Sequence, residues 1–272
     1  MSFPLGSEWQ FEPIPGGSGQ AFKGLKAGDG EMVFIKRNTS PFLPALSMEG
    51  VTPKLLWTKR TNDGDVLTAQ EWLSGQVLSR QQMREPLVGQ LIYQYQHSEY
   101  LFEMLEKVGG QTCTAEDLLD QLESHLASEL TSHQLIAEVR AYLRASINEL
   151  KQVQYTVCHG DINRRNFMTS QSGRLYLVDW EGVIIADYLL DICQLLVQYV
   201  DFSDWSNWFE QYGLKVNDAV YGRLEWYSLY SLLTFINDDF YQHRQYEMNE
   251  KILKLRHIYR NRRFEDSISH GG

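Results

Sequence analysis

Three short polar side chains near the middle of the chain have the types and the order of a phosphoryl-transfer site. Asp161 follows His159 and Gly160, Asn166 lies on the same polar segment, and Asp179 comes later. An aspartate in the first place can orient a hydroxyl nucleophile, while an amide and a second carboxylate can hold Mg²⁺ beside a nucleotide triphosphate. The pattern predicts a phosphoryl-transfer site at Asp161, Asn166 and Asp179 that can align a nucleophile and hold Mg²⁺.

The segments around these residues have the patterns needed to bring them together. The sequence predicts two strands, 166–169 and 174–178, joined by the turn 170–173. This hairpin would hold Asn166 beside Asp179. Upstream, apolar residues three and four apart predict an amphipathic helix over 134–153. Asp and Asn are common in turns, so each residue alone has an ordinary explanation and only the whole set indicates a site.

The first part of the chain has two features of a nucleotide site. Gly16, Gly17, Ser18 and Gly19 lie between two strand-like segments, where small residues let backbone N–H groups approach phosphate oxygens. A glycine-rich hairpin turn without a ligand is the alternative. Residues 32–36 then form an apolar strand ending in Lys36, whose ammonium can reach the α- and β-phosphates of ATP.

Three more positions are predicted to support the nucleotide. Glu49 is the only acid in residues 41–53, so we expect it to pair with Lys36; a solvated position after a short helix is the alternative. Residues 67–73 read as another strand, and backbone groups near Glu71 and Leu73 are predicted to hydrogen-bond adenine. An edge strand that ends in a turn is the alternative there.

The order of these patterns predicts an α+β fold of two lobes. Residues 1–72 form the strand-rich N-terminal nucleotide-binding lobe, and residues 73–272 form the mainly helical catalytic and substrate-binding lobe. A chain of 272 residues is long enough for two such lobes that share a cleft.

Charge and hydropathy exclude some classes of function. The net charge of −10 disfavours direct nucleic-acid binding, which depends on phosphate neutralisation by Lys and Arg. The longest apolar stretch, residues 188–200, is interrupted by Asp191, Gln194 and Gln198, so no membrane span is expected. The N-terminus lacks a secretory pattern, and we predict a cytoplasmic protein.

The cysteines do not have the spacing of a metal or disulfide framework. Cys113, Cys158 and Cys193 are an odd and scattered set. Cys158 directly precedes His159, but neighbouring side chains on a strand point to opposite sides. We therefore predict that Cys158 is a small buried residue and not a nucleophile.

His159-Gly160-Asp161 with Asn166 and the later Asp179-Trp180 resembles the aminoglycoside and choline kinase group of the protein-kinase-like fold. In protein kinases the matching loop reads H-R-D and the metal aspartate opens D-F-G, so the departures here point away from protein substrates. The resemblance implies ATP and Mg²⁺ as cofactors, Asp161 as the base that accepts the proton of the acceptor hydroxyl, and Asn166 and Asp179 as the magnesium ligands. Asp191 resembles the family residue that anchors the catalytic loop; helix-start electrostatics is the alternative.

Longer segments resemble the bacterial CcrZ (YtmP-like) branch of this group. They are residues 34–37, 50–60, 159–167 and 177–181. This resemblance implies ATP-dependent phosphorylation of ribose or 2-deoxyribose at the 5-hydroxyl. It also implies a role in the control of DNA replication initiation and cell division, with a protein partner from one of those processes.

Composition of the helical part leaves other acceptors and roles open. Its aromatic residues can cage choline, stack on a sugar or fill the core, and core is the default: Trp205, Trp208, Tyr212, Tyr221, Trp226, Tyr227, Tyr230, Phe235, Phe240 and Tyr241. Four acids can attract an aminoglycoside or lie solvated: Asp201, Asp204, Asp238 and Asp239.

A basic last helix over 247–264 is a solvated face or a docking surface. A non-catalytic ATP-binding regulatory protein is the rival hypothesis.

Overall fold

The computed structural model describes residues 9–14, 20–28 and 30–262. The predicted glycine-rich loop at Gly16, Gly17, Ser18 and Gly19 lies outside these residues. The described part begins with an antiparallel five-stranded sheet in the order β1-β2-β3-β5-β4. Its strands are β1 (Trp9–Pro13), β2 (Ala21–Lys26), β3 (Met32–Arg37), β4 (Leu55–Arg60) and β5 (Val66–Glu71).

A small hydrophobic core lies on one face of this sheet. Val33 and Ile35 alternate along β3 and are fully buried against Leu67 and Ala69 of β5. Because successive side chains of a strand point to opposite faces, this alternation puts Lys36 on the face away from the small core. The predicted strand thus presents its lysine toward the rest of the molecule.

Helix α1 (Leu43–Met48) connects β3 to β4 but belongs to a different core. Phe42 and Leu46 are fully buried in the large hydrophobic cluster of the helical part. The backbone N–H of Leu177 also donates to the carbonyl of Val51 at 3.0 Å. The cores therefore do not divide at residue 72, because part of the first 72 residues packs with the second part.

The second part is mainly helical and carries two small sheets. Its helices are α2 (Pro86–Gln96), α3 (Glu99–Lys107), α4 (Ala115–His125), α5 (Ser128–Thr131), α6 (Gln134–Ser146), α7 (Leu189–Tyr199), α8 (Trp205–Tyr212), α9 (Asp218–Tyr241) and α10 (Gln245–Arg260). One sheet has the order β6-β8-β9, with β6 (Gln76–Val77), β8 (Phe167–Thr169) and β9 (Leu175–Leu177). The other pairs β7 (Tyr155–Cys158) with β10 (Ile184–Asp187). The predicted α+β class, strand-rich first and mainly helical afterwards, is confirmed.

Several predicted element ends differ from those in the structure. The helix predicted over 134–153 stops at Ser146 and continues as a 3₁₀ helix over Ile147–Glu149. Gln152 has a φ of 57°, a left-handed conformation that cannot continue a right-handed helix. The strand predicted over 67–73 ends at Glu71, and the last helix ends at Arg260.

Among the residues that the structure describes, no helix combines the length and apolar character needed to cross a bilayer.

All three cysteines are expected to be unreactive in the folded protein. Cys113, Cys158 and Cys193 are free thiols that are buried in the structure. Burial raises the pKa of each thiol, that of Cys193 to about 12, so the reactive thiolate is disfavoured. With Ellman's reagent at about pH 8, we expect no rapid reaction in buffer and three thiols in guanidinium chloride. Rapid reaction of one thiol in buffer, abolished by Cys158→Ser, would instead identify Cys158 as an accessible nucleophile.

Candidate active site

Lys36 connects the sheet to the helical part through two carboxylates. Its Nζ lies 2.9 Å from Oδ1 of Asp179 and 2.5 Å from Oε1 of Glu181. Burial alone would lower the pKa of Lys36, but the hydrogen bonds to Glu181 and Asp179 outweigh it and raise that pKa. Lys36 is therefore a cation held directly beside the predicted metal ligand.

The predicted pair between Lys36 and Glu49 is not the one that the structure contains. Glu49 follows the last turn of α1, and its carbonyl accepts a hydrogen bond from Nε2 of Gln94 at 2.7 Å. Because α1 packs into the larger core, its C-terminal end is directed to α2. The carboxylates that reach Lys36 come from the segment that follows β9.

Asp161 and Asn166 are in direct contact on the loop 159–166, which the resemblance predicts to be the catalytic loop. Nδ2 of Asn166 donates to the carbonyl of Asp161 at 3.0 Å and to its Oδ2 at 3.1 Å. Nδ2 of Asn163 donates to the same Oδ2 at 2.8 Å. Within the described residues, Oδ1 of Asp161 has no hydrogen-bond partner, so this exposed carboxylate has one oxygen available for an acceptor hydroxyl.

The predicted hairpin is present and brings Asn166 to the segment that carries Asp179. Strands β8 and β9 are antiparallel, with Phe167 opposite Leu177. The N–H of Val178 donates to the carbonyl of Asn166 at 2.8 Å. Asp179 then takes a φ of 66°, a left-handed conformation that aspartate tolerates better than most residues. The chain turns there into the 3₁₀ helix Trp180–Gly182, which places Glu181 against Lys36.

The side-chain oxygens of Asn166 and Asp179 suit a hard cation. The amide nitrogen of Asn166 donates both of its hydrogen bonds to Asp161, and no described residue donates to its Oδ1. The side chain of Asp179 is 52% exposed and uses Oδ1 for Lys36. Carboxylate and amide oxygens are the ligands that Mg²⁺ takes in proteins, so the residues present fit this ion.

Asp191 holds the start of the catalytic loop from inside the protein. This fully buried carboxylate accepts hydrogen bonds from the N–H of His159 at 2.7 Å and of Gly160 at 2.9 Å. The hydroxyl of Tyr95 donates to it at 2.6 Å. Burial raises the pKa of Asp191 in spite of these donors. Its contacts support the loop-anchoring interpretation over simple helix-start electrostatics.

Gly160 occupies a place that a side chain would crowd. Its φ is +81°, and a Cβ there would lie 3.0 Å from the carbonyl oxygen of Gly182. The neighbouring His159 is fully buried, and its Nε2 lies 2.9 Å from the carbonyl oxygen of Val178. This geometry explains why glycine stands where protein kinases have arginine.

The residues predicted to contact adenine lie at the end of β5. Glu71 is opposite Val33 in the sheet, and its N–H donates to the carbonyl of Lys54 at 2.8 Å. That amide is therefore occupied within the protein. Leu73 lies in the connection 72–75 that follows. Strand β5 is flanked by β3 and β4, so the edge-strand alternative is wrong.

Most aromatic and acidic candidates for acceptor binding are engaged elsewhere. Six aromatic residues are buried in the large core, which confirms the core interpretation for them: Trp208, Tyr212, Trp226, Tyr227, Tyr230 and Phe235. Asp239 pairs with Arg244 and Lys251, and Asp201 pairs with Arg84.

Among the four candidate acids, Asp238 has a pKa that is affected by the charge of Asp161, the predicted base. Burial raises the pKa of Asp238, and the negative charge of Asp161 raises it further. The end of α9 therefore lies near enough to Asp161 for the charge of that carboxylate to act on Asp238.

The basic last helix uses part of its charge within the protein. Nζ of Lys254 donates to the carbonyl of Val197 at 2.7 Å, and Lys251 pairs with Asp239. The guanidinium of Arg262 lies 3.7 Å from the ring centre of Tyr259. These contacts favour a packed helix over a docking surface for those three residues.

Sequence reasoning missed Glu181 and two glutamines of α7 that bind the catalytic loop. Gln194 and Gln198 donate to the carbonyls of Gly160 and Ile162 at 2.8 and 2.7 Å. Together with Asp191, they are polar residues on one face of an otherwise apolar helix. That periodicity was visible in the sequence, and it indicated a polar structure against which the helix packs.

Comparison with known proteins identifies relatives of this architecture. A model of the phosphotransferase enzyme family (APH) matches residues 36–227. Choline kinase LicA from Streptococcus pneumoniae is similar in structure, with 16% identity, a TM-score of 0.65 and coverage of 92% of this chain and 94% of that chain.

Two further solved structures have a similar fold. A choline/ethanolamine kinase family protein from Mesorhizobium loti has 17% identity, a TM-score of 0.62 and coverage of 92% of this chain and 87% of that one. The GDP complex of an aminoglycoside 2'-phosphotransferase-IIIa mutant has 15% identity, a TM-score of 0.62 and coverage of 95% and 94%. These similarities show the shared kinase-like fold.

Proposed function

This chain belongs to the phosphotransferase enzyme family, and from that premise we propose that it transfers the γ-phosphoryl group of ATP to a hydroxyl of a small sugar. The acceptor in this proposal is the 5-hydroxyl of ribose or 2-deoxyribose. The resemblance of residues 34–37, 50–60, 159–167 and 177–181 to the CcrZ (YtmP-like) branch supports this acceptor.

The observation that carries the proposal is a continuous set of contacts from the sheet to the catalytic loop. Lys36 pairs with Asp179, the Asp179 segment is joined to Asn166 through Val178, and Asn166 donates to Asp161. The residues proposed to bind phosphate, to hold Mg²⁺ and to accept the proton are thereby linked by direct contacts, which supports a role in phosphoryl transfer.

Each side chain has a role that its contacts support. Asp161 would bind the acceptor hydroxyl through its available oxygen and accept its proton, and Lys36 would steady the phosphates. Asn166 and Asp179 would hold Mg²⁺, which when bound neutralises charge on the phosphates. Positioning and charge neutralisation would then supply most of the rate acceleration.

The contacts of the aromatic and acidic residues leave the alternative acceptors open. A choline kinase would need exposed aromatic residues for an ammonium cage, but six of the candidate aromatics fill the core. An aminoglycoside kinase would need unpaired acids; Asp201 and Asp239 are in ion pairs, whereas Asp204 and Asp238 are in no ion pair within the described residues. Structural likeness to kinases of both kinds keeps these acceptors as the second candidates.

The cellular setting in this proposal also follows from the resemblance. We expect the protein to act in the cytoplasm, without direct contact to nucleic acid, and to meet a partner from cell division or replication. In a rival form of this proposal, the protein binds ATP without turnover and acts only through that partner.

An acceptor screen with purified protein tests the proposal. We expect transfer of phosphate from radiolabelled ATP, with Mg²⁺ present, to ribose or 2-deoxyribose. The matched control is 5-deoxyribose, which lacks the proposed hydroxyl and should not be phosphorylated.

Turnover of choline or an aminoglycoside, without turnover of the pentoses, would overturn the sugar assignment. Tight ATP–Mg²⁺ binding without turnover of any acceptor would favour the regulatory protein.

A further inference from the structure

The side chain of Gln194 bridges the two peptide groups on either side of Asp161. Its Nε2 donates to the carbonyl of Gly160 at 2.8 Å, and its Oε1 accepts from the N–H of Ile162 at 2.7 Å. Gln194 is only 3% exposed, so neither bond competes with solvent. One rigid amide therefore fixes the backbone immediately before and after the predicted base.

A carboxamide is suited to this position because it carries a donor and an acceptor on one planar group. The Gln194 amide donates one hydrogen bond to the loop backbone and accepts one from it, as an adjacent β-strand would. A carboxylate of the same size would keep the acceptor for Ile162 but lose the donor for Gly160. An apolar side chain of the same length would lose both.

The neighbours of Gln194 on α7 act on adjacent parts of the loop. Asp191 accepts from the N–H groups of His159 and Gly160, and Nε2 of Gln198 donates to the carbonyl of Ile162 at 2.7 Å. The hydroxyl of Tyr199 accepts from the N–H of Arg164 at 2.9 Å. Among these residues, Gln194 is the one whose bonds lie on both sides of Asp161.

We propose that Gln194 is a positioning residue that sets the orientation of Asp161 toward the acceptor. This inference rests on the proposed phosphotransferase function. Gln194 has no hydrogen bond to Lys36 or Asp179, so it would act on the reacting hydroxyl through Asp161 and not on the nucleotide. Small errors in the placement of a catalytic group lower the rate of the chemical step strongly.

The test compares Gln194→Met with Gln96→Met. Gln96 is a matched control because it is 5% exposed and its amide also bridges two groups, the carbonyl of Tyr188 at 3.0 Å and the hydroxyl of Tyr212 at 2.8 Å. We expect Gln194→Met to lower kcat by about 10- to 100-fold, with the KM for ATP changed less than about twofold. Gln96→Met should lose comparable stability but keep its kcat within about threefold.

A double variant separates positioning from a general structural effect. If Gln194 acts through Asp161, then Gln194→Met should lower kcat little further in the Asp161→Asn background. An undiminished effect in that background, or equal kcat losses at Gln194 and Gln96, would overturn the proposal. Gln194→Glu, which keeps the polar packing, supplies the same comparison if Gln194→Met does not fold.

Hydrogen exchange makes the outcome independent of turnover. The amide of Ile162 donates to Gln194, so its exchange should be faster in Gln194→Met than in Gln96→Met. Faster exchange in a protein that phosphorylates no acceptor would mean that the proposed function has failed while the loop contact is real. Unchanged exchange at Ile162 would overturn the positioning role itself.

Discussion

Replacement of Asp161 with asparagine is expected to lower kcat by about 10²–10⁴-fold while the affinity for ATP changes little. Asparagine has the size of aspartate and can still accept the hydrogen bonds from Asn163 and Asn166, but it cannot accept a proton from the acceptor hydroxyl. Lys36 and Asp179 remain in place for the nucleotide. Steady-state kinetics with the best acceptor and calorimetric titration with ATP–Mg²⁺ measure the two quantities.

The control for this experiment is Asp63→Asn, which changes an exposed acid in the turn between β4 and β5. It should keep kcat within about twofold of the wild-type protein, as expected for a surface substitution away from the site. Near-wild-type turnover of Asp161→Asn would remove Asp161 from the role of base. Loss of both ATP binding and turnover would assign Asp161 to the nucleotide site instead.

Replacement of Asp187 with alanine is expected to lower the free energy of unfolding by about 3–5 kcal/mol. Nη1 of Arg223 lies 2.8 and 2.7 Å from the two carboxylate oxygens of Asp187, and the side chains are 2% and 0% exposed. Without Asp187 the guanidinium stays buried without its counter-ion. The N–H of Leu189 also loses its acceptor at the start of α7. Urea unfolding followed by circular dichroism measures the difference.

Asp65→Ala is the matched control for the buried pair. Asp65 pairs with Arg37 at 2.7 Å, but the two side chains are 29% and 24% exposed. Because solvent screens this pair, we expect a much smaller loss of stability than for Asp187→Ala. Equal losses for the two variants would show that burial does not govern the strength of these ion pairs.

Local patterns predicted the elements of the candidate site well. The continuous apolar run 32–35 predicted the strand that presents Lys36, and the two short runs around a polar turn predicted the β8–β9 hairpin. Both depend on interactions between residues that are close in the sequence, so both can be inferred from it.

Long-range packing was not accessible from the same patterns. The partner of Lys36 depends on where α1 packs and on the left-handed turn at Asp179, and neither leaves a local signal in the sequence. The three-and-four apolar spacing also continues past Ser146, where α6 ends, through Ile147 and Leu150. The glutamines of α7 were visible as polar interruptions, but only the structure shows that they bind the catalytic loop.

The position of α1 in the larger core limits how the cleft between the two parts can open. Within the described residues, the chain passes between the two cores at 38–42, 51–54 and 72–75. A tilt of the five-stranded sheet would have to hinge at these short connections, and it would carry Lys36 along. Asp161, Asn166 and Asp179 would stay on the common base. The distance between Nζ of Lys36 and Oδ1 of Asp179 therefore measures how far the cleft is open.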